Sequence, residues 1–295
     1  QISDELDSLG ASLRAGSNLD LSFVSLNALK ANLDKSLDIW ADVVLNPSFP
    51  QADFEREQKR QMAAIQQEKS EPMTMATRVL AGLVYGKGHA YAGPLTGSGY
   101  EATVKSITRE SLVKFHQTWF KPNNATLLIV GDTTLAEITP KLERLFSGWK
   151  PGEVPKKNVA QVDSRANSVV YMIDKPGAIQ SVVLAAQVAP PTNNPDEIAF
   201  ETLNTLLGGM FTSRINMNIR EDKHWSYGAR SFLSAARGQR PFIAYAPVQS
   251  DKTKETVQEI LNELKGVIKG RPVTQEELRM AQDYLTLSLP GSRET

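Results

Sequence analysis

Apolar side chains recur at two spacings along this chain, and the changes from one to the other outline its elements. Leu33, Leu37, Trp40 and Val44 share one face of a helix expected over Ala31–Leu45. Asn46-Pro47 and Pro50 break it, and Gln51–Glu68 follows as a second, very polar helix. Further helices are expected over about Thr74–Tyr85, from Thr108 to Phe120, over Leu135–Trp149, Asp196–Leu207 and Lys252–Lys269, and from Thr274, where Glu276 and Glu277 suit a first turn. The opening QISDELDSLG places Ile2, Leu6 and Leu9 on one helix face and stops at Gly10. A period of two over Leu19–Leu29 predicts a half-buried strand. Short apolar runs predict strands at Ala125–Val130, Ser168–Ile173 and Gln180–Val188, and a hairpin of Ser231–Ala236 with Pro241–Pro247 around Arg237-Gly238. Gly86–Gly99, with five glycines and Pro94, reads as a loop.

One arrangement occurs twice. A strand from Phe23 leads into a helix near Asp34-Lys35, then a proline break, then the polar helix QADFEREQ at Gln51. A strand from Phe242 leads into a helix near Asp251-Lys252, a break, and QEELRMAQ at Gln275. The offsets are 242 − 23 = 219 and 275 − 51 = 224 residues. This predicts a duplicated domain of about 220 residues. The polar stretch Pro151–Ala166 is the expected linker, with a first domain at 1–155 lacking its opening segment and a second at 165–295 lacking its closing one. The expected fold is α+β: two tandem α/β-sandwich domains of like topology. The chain starts at Gln1 and stops soon after a helix, so it reads as a piece of something longer.

Composition narrows the chemistry. Lys+Arg and Asp+Glu are both 33, which gives no cationic excess for nucleic acid. No apolar run approaches the roughly 18 residues of a membrane span. Cysteine is absent, which removes disulfides, thiolate ligands and cysteine nucleophiles. His89, His116 and His224 lie far apart, without a His-x-x-Glu-His motif, so the chain offers no evident set of three zinc ligands. No nucleophile elbow, phosphate loop or dinucleotide fingerprint is present. The densest collection of unusual side chains is Asn216–Arg230, NMNIREDKHWSYGAR, between the pair Gly208-Gly209 and a β-rich run. Its charged helix is expected to end near Tyr227, at the rim of a sheet. Read by spacing alone, Arg220 is a solvated helix residue and Tyr227 a half-buried one.

LLGGMFTSRINMNIREDKHWSYGARS resembles the C-terminal domain of the pitrilysin/insulinase-type zinc metallopeptidases. HAYAGPLTGS, FHQTWFKPNNATLLIVGD and LNPSFPQADFEREQKRQMAAIQQE resemble the domain before it, in the family's order. The resemblance implies that Arg220 and Tyr227 match an Arg–Tyr pair, seven residues apart, that binds the peptide substrate near the zinc. It implies an endopeptidase whose zinc is held by an inverted His-x-x-Glu-His helix plus a later glutamate. That helix is not in this chain, and the Asn-Ala-x-Thr pattern usual beside it is missing from LGASLRAGSNLDLSF. Glu68 falls near the place of the later glutamate, with Gln61 where an acidic residue is common; its plainer reading is a solvated helix carboxylate. The chain is therefore expected to be a non-zinc unit that binds no catalytic zinc by itself. It would work with a zinc-bearing unit in the same longer chain or in a partner subunit. The alternative is an inactive structural or peptide-binding homologue of the processing-peptidase alpha or respiratory-complex core type. The residues leave the compartment open; the resemblance alone points to the bacterial periplasm.

Overall fold

The computed structural model describes residues 2–165 and 167–292. Gln1, Ala166 and residues 293–295 lie outside the described residues, and with them one end each of the expected opening helix, linker and closing segment. In chain order the elements are α1 (Ile2–Ser8), β1 (Ser12–Ser17), β2 (Ser22–Asn27), α2 (Leu33–Leu45), α3 (Gln51–Glu68), α4 (Pro72–Tyr85), α5 (Glu101–Ser106), α6 (Arg109–Trp119), α7 (Leu135–Phe146), β3 (Gln180–Ala189), α8 (Glu197–Asn204), α9 (Arg214–Asn216), β4 (Arg230–Leu233), β5 (Arg240–Gln249), α10 (Thr253–Ile268) and α11 (Gln275–Ser292). The architecture is α+β. The chain forms two compact units, one of residues up to Ala63 with Tyr100–Lys157, the other of Ala64–Gly99 with residues from Asn158 onward. The first crossing between them falls inside α3.

In the first unit, β1 and β2 form an antiparallel hairpin running from Ser12↔Asn27 to Ser17↔Ser22. A Cβ on Gly16 would come within 2.6 Å of the Phe23 ring, so the glycine makes room for Phe23 to cross the hairpin. The helix α2 buries Leu37, Ala41 and Val44, as its spacing predicts. Trp40 donates from Nε1 to the Val24 carbonyl at 3.1 Å and meets the Phe146 ring edge-on, joining hairpin, α2 and α7. Thr108 and Thr134 each cap a helix reciprocally, with Ser111 and Glu137. The strand expected at Ala125–Val130 does not form. The segment has no regular structure, Leu128 and Val130 are more than three-quarters exposed, and no strand among the described residues pairs with it. A short apolar run reports side-chain preference, but a strand also needs a neighbour for its backbone groups.

The second unit is built on a three-stranded antiparallel sheet of order β3-β5-β4. β5 is central, with Leu184↔Tyr245 on one side and Arg230↔Tyr245 on the other. Val183, Ala244, Ala246 and Val248 of the sheet, Ile260 of α10, and Ile215 and Ile219 make one buried core. A second cluster joins Ala81 and Tyr85 of α4 to Tyr91 and Ala236. The strand expected at Ser168–Ile173 is also absent, and its apolar side chains are exposed for the same reason. The order strand, 3₁₀ turn, helix, break, helix does recur: β2, Lys30–Asn32, α2 and α3; then β5, Ser250–Lys252, α10 and α11.

Candidate functional site

The stretch from Thr205 to Arg230 is wound in an uncommon way. α8 passes directly into a π-helical turn, Thr205–Gly209, and α9 into a second one, Met217–Asp222. Such turns are rare and favour functional sites. The first is pressed against β4. A Cβ on Gly208 would lie 2.2 Å from the Ser231 amide nitrogen, so only glycine allows this approach. The second is pinned from three directions. Ile215 and Ile219 are fully buried in the core. Arg214 makes a two-pronged ion pair with Glu277, from Nε at 2.6 Å and Nη2 at 2.7 Å, and also donates to the carbonyls of Arg271 and Pro272. The Arg214 bonds pull the Glu277 carboxyl down to about 2, against burial, with help from Thr274. Asn218 donates to Glu259 and Glu263 on α10, at 2.9 and 2.6 Å.

Arg220 lies in that second π turn. Its Nη1 bonds Glu221 at 2.7 Å, and its guanidinium carbon stands 4.6 Å from the centre of the Phe211 ring. The helix stops before His224, whose φ of 57° lies in the left-handed region; the amides of His224 and Trp225 close on the carbonyls of Arg220 and Ile219. Tyr227 follows outside any helix. It is 92% exposed, and among the described residues its phenol has no hydrogen-bond partner. Two expectations need correction. Tyr227 is not half-buried, because it lies in the loop before β4 with its ring in solvent. Nor does the charged helix run on to near Tyr227: it is π-wound at Arg220 and ends at Asp222, with the loop beginning at Lys223.

Glu68 belongs to the same compact unit but to a different environment. It sits at the end of α3, with 16% of its side chain exposed. Oε2 is paired with Arg78 and accepts from Ser98 Oγ at 2.6 Å and Thr96 Oγ1 at 3.1 Å. Arg78, itself 9% exposed, also donates to Ser98 and to the Gly99 carbonyl. Burial pushes the Glu68 carboxyl up, but bonds from Ser98, Arg78 and Thr96 and the Arg78 charge outweigh it and hold the group below its ordinary value. It is not a solvated carboxylate. It is the acid of an ion-pair network tying α3 and α4 to the glycine loop.

The histidines do not converge. His89 stacks on Tyr85, accepts the Tyr91 amide on Nδ1, and so donates from Nε2 to the Ala160 carbonyl at 2.9 Å. His116 pairs through Nε2 with the Val44 carbonyl at 2.8 Å and stacks on Phe120. Among the described residues no group of three or more His, Cys, Asp or Glu side chains could hold a metal ion. This donor set does not fit a catalytic zinc. Sequence reasoning also passed over Phe211 and Asn216, which lie before the pair in the chain and bond to each other, Asn216 also reaching across it to Ala229; nothing in spacing or residue type marks them out.

Residues 106–285, more than half of the chain, match the family profile described as peptidase M16 inactive domain, and residues 1–91 match that of insulinase (peptidase family M16). The chain is 25% identical over 298 residues to a protein named as an uncharacterized zinc protease from Rickettsia felis, covering 100% of this chain and 69% of that one. It is 24% identical to a probable mitochondrial-processing peptidase subunit beta from Arabidopsis thaliana, over 76% of this chain and 41% of that one. The crystal structure of a peptidase M16 inactive domain from Pseudomonas fluorescens superimposes with a TM-score of 0.89 at 25% identity, covering 97% of this chain and 68% of that chain. With two profiles of one family spanning both ends of the chain and a matching fold, this protein belongs to the peptidase M16 family.

Proposed function

We propose that this chain binds a peptide through Arg220 and Tyr227 and stabilises the charge that develops on its carbonyl oxygen, as one part of a zinc-dependent endopeptidase. The observation that carries this reading is the exposed Tyr227 phenol, unpartnered among the described residues, seven residues after a guanidinium steadied by Phe211 and Glu221. A phenol O–H donates one hydrogen bond, and it is most effective where negative charge builds up on oxygen. Of the Arg220 donors only Nη1 is engaged among the described residues, which leaves the others for a peptide carbonyl or carboxylate. Among the described residues the donors do not form a set that fits zinc. In this reading the metal is held by a His-x-x-Glu-His unit in the same longer chain or in a partner subunit. The pair then belongs to a second domain, 165–295, following a first at 1–155.

A second reading, a peptide-holding or structural homologue without turnover, is favoured by the match to the inactive-domain profile. The test is kcat and KM of Tyr227→Phe and Arg220→Ala in the assembled protein, beside His224→Ala as a control. Tyr227→Phe is expected to lower kcat by about 10²–10³, and Arg220→Ala to raise KM as well. Wild-type turnover in both variants would remove the catalytic reading; peptide affinity without hydrolysis in the assembled protein would establish the second one.

A further inference from the structure

The buried amide of Asn216 is used twice, and its two partners lie on either side of the proposed site. Asn216 is 5% exposed. Its Nδ2 donates to the Phe211 carbonyl at 2.7 Å, and its Oδ1 accepts from the Ala229 amide at 3.0 Å. Phe211 is the residue whose ring faces the Arg220 guanidinium. Ala229 is fully buried, two residues beyond Tyr227. The loop is close around this oxygen: a Cβ on Gly228 would meet Oδ1 at 3.9 Å. One side chain therefore fixes the backbone before Arg220 and the backbone after Tyr227.

We propose that Asn216 is a positioning residue for the Arg220–Tyr227 pair, setting Phe211 against the guanidinium and fixing the point from which the Tyr227 loop springs. The inference rests on the reading above. The chemistry selects an amide. Only Asn and Gln carry an N–H donor and a carbonyl acceptor on the same carbon, as close together as these two partners require, and Gln is a methylene too long for a buried span. Aspartate keeps the acceptor for Ala229 but turns a carboxylate oxygen toward the Phe211 carbonyl, so the Phe211 side alone is released. Leucine has a similar shape and releases both sides.

The experiment is a double-mutant cycle in the assembled protein, read on kcat/KM with an internally quenched peptide library and on affinity for an uncleaved peptide. Asn216→Asp is expected to lower kcat/KM roughly tenfold and Asn216→Leu by about 10²-fold, the usual result of a catalytic group displaced by about 1 Å. In the Arg220→Ala/Tyr227→Phe background neither change should reduce it further, because the groups being positioned are gone. Loss of the same size in both backgrounds would mean that Asn216 merely supports the fold, and would overturn the proposal. So would wild-type values for Asn216→Asp in the parent. Wild-type values for Arg220→Ala and Tyr227→Phe would instead remove the reading beneath it. If Asn216→Leu does not fold, Asn216→Asp, which retains the Ala229 bond, carries the same cycle.

Discussion

Glu68 and Tyr227 sit in one compact unit, both were candidates by resemblance, and the fold treats them in opposite ways. The carboxylate of Glu68 takes bonds from Arg78, Ser98 and Thr96, and its charge is matched by a guanidinium that is itself buried. The phenol of Tyr227 is exposed and bonds nothing among the described residues. A polar group whose bonding capacity is filled at home holds structure together, while one carried into solvent on a pinned loop is available to a ligand. The difference therefore predicts where substitutions should register: in stability at Glu68, in activity at Tyr227.

The largest effect on stability is expected for Glu68→Ala. It leaves Arg78 buried without its counter-charge, and breaking such a pair costs about 3–5 kcal/mol. Chemical denaturation of the variant checks this, and a loss below about 1.4 kcal/mol, one factor of ten, would return Glu68 to the class of solvated carboxylates. Gly208→Ala comes next. Its methyl group would run into the Ser231 backbone, and overpacking of this kind costs about 1–3 kcal/mol. Because Gly208 presses the first π turn onto β4, this variant should lose peptide affinity along with stability. Acid titration probes the foundation of the same stretch. The Glu277 carboxyl is depressed from 4.5 to about 2 in the folded protein. Its stabilising contribution is thus complete above about 4.5 and is lost as the pH falls through about 2. Thermal denaturation followed over that window should slope downward with falling pH, and less steeply in Glu277→Gln. The smallest stability effect is expected for Tyr227→Phe, within about 0.5 kcal/mol of the parent. A substantial loss of stability there, with unchanged turnover, would reverse the comparison.

How much of this is legible in the chain depends on the kind of information each feature needs. The helices α2, α3, α6 and α10 follow from local period, breaks and caps, and their observed bounds lie within a few residues of the expected ones. Strands are harder. Ala125–Val130 and Ser168–Ile173 have strand-like side chains and no neighbour. The converse is β1, where Leu13 and Ala15 give only one short alternation, and which is a strand because β2 lies beside it. The site divides the same way. Resemblance located Arg220 and Tyr227 along the chain. It could not foretell that Glu68 is claimed by partners ten and thirty residues away, because those contacts exist only after folding. His224 misleads in another manner. Its type suggests chemistry, yet what the structure uses is its left-handed backbone at the end of a helix.

The two π turns have a consequence for how this family's chains can vary in length. A π turn closes its hydrogen bond over five residues where an α turn uses four, so each behaves as a single-residue insertion absorbed by a helix. Winding Met217–Asp222 as ordinary α-helix with the same number of residues would leave its backbone bonds intact. Everything after it would then swing by about 100° around the helix axis. The composition would be unchanged and the fold could still assemble, yet the Tyr227 loop would leave in a different direction. At this place the winding of the helix, rather than the identity of its residues, aims the side chain.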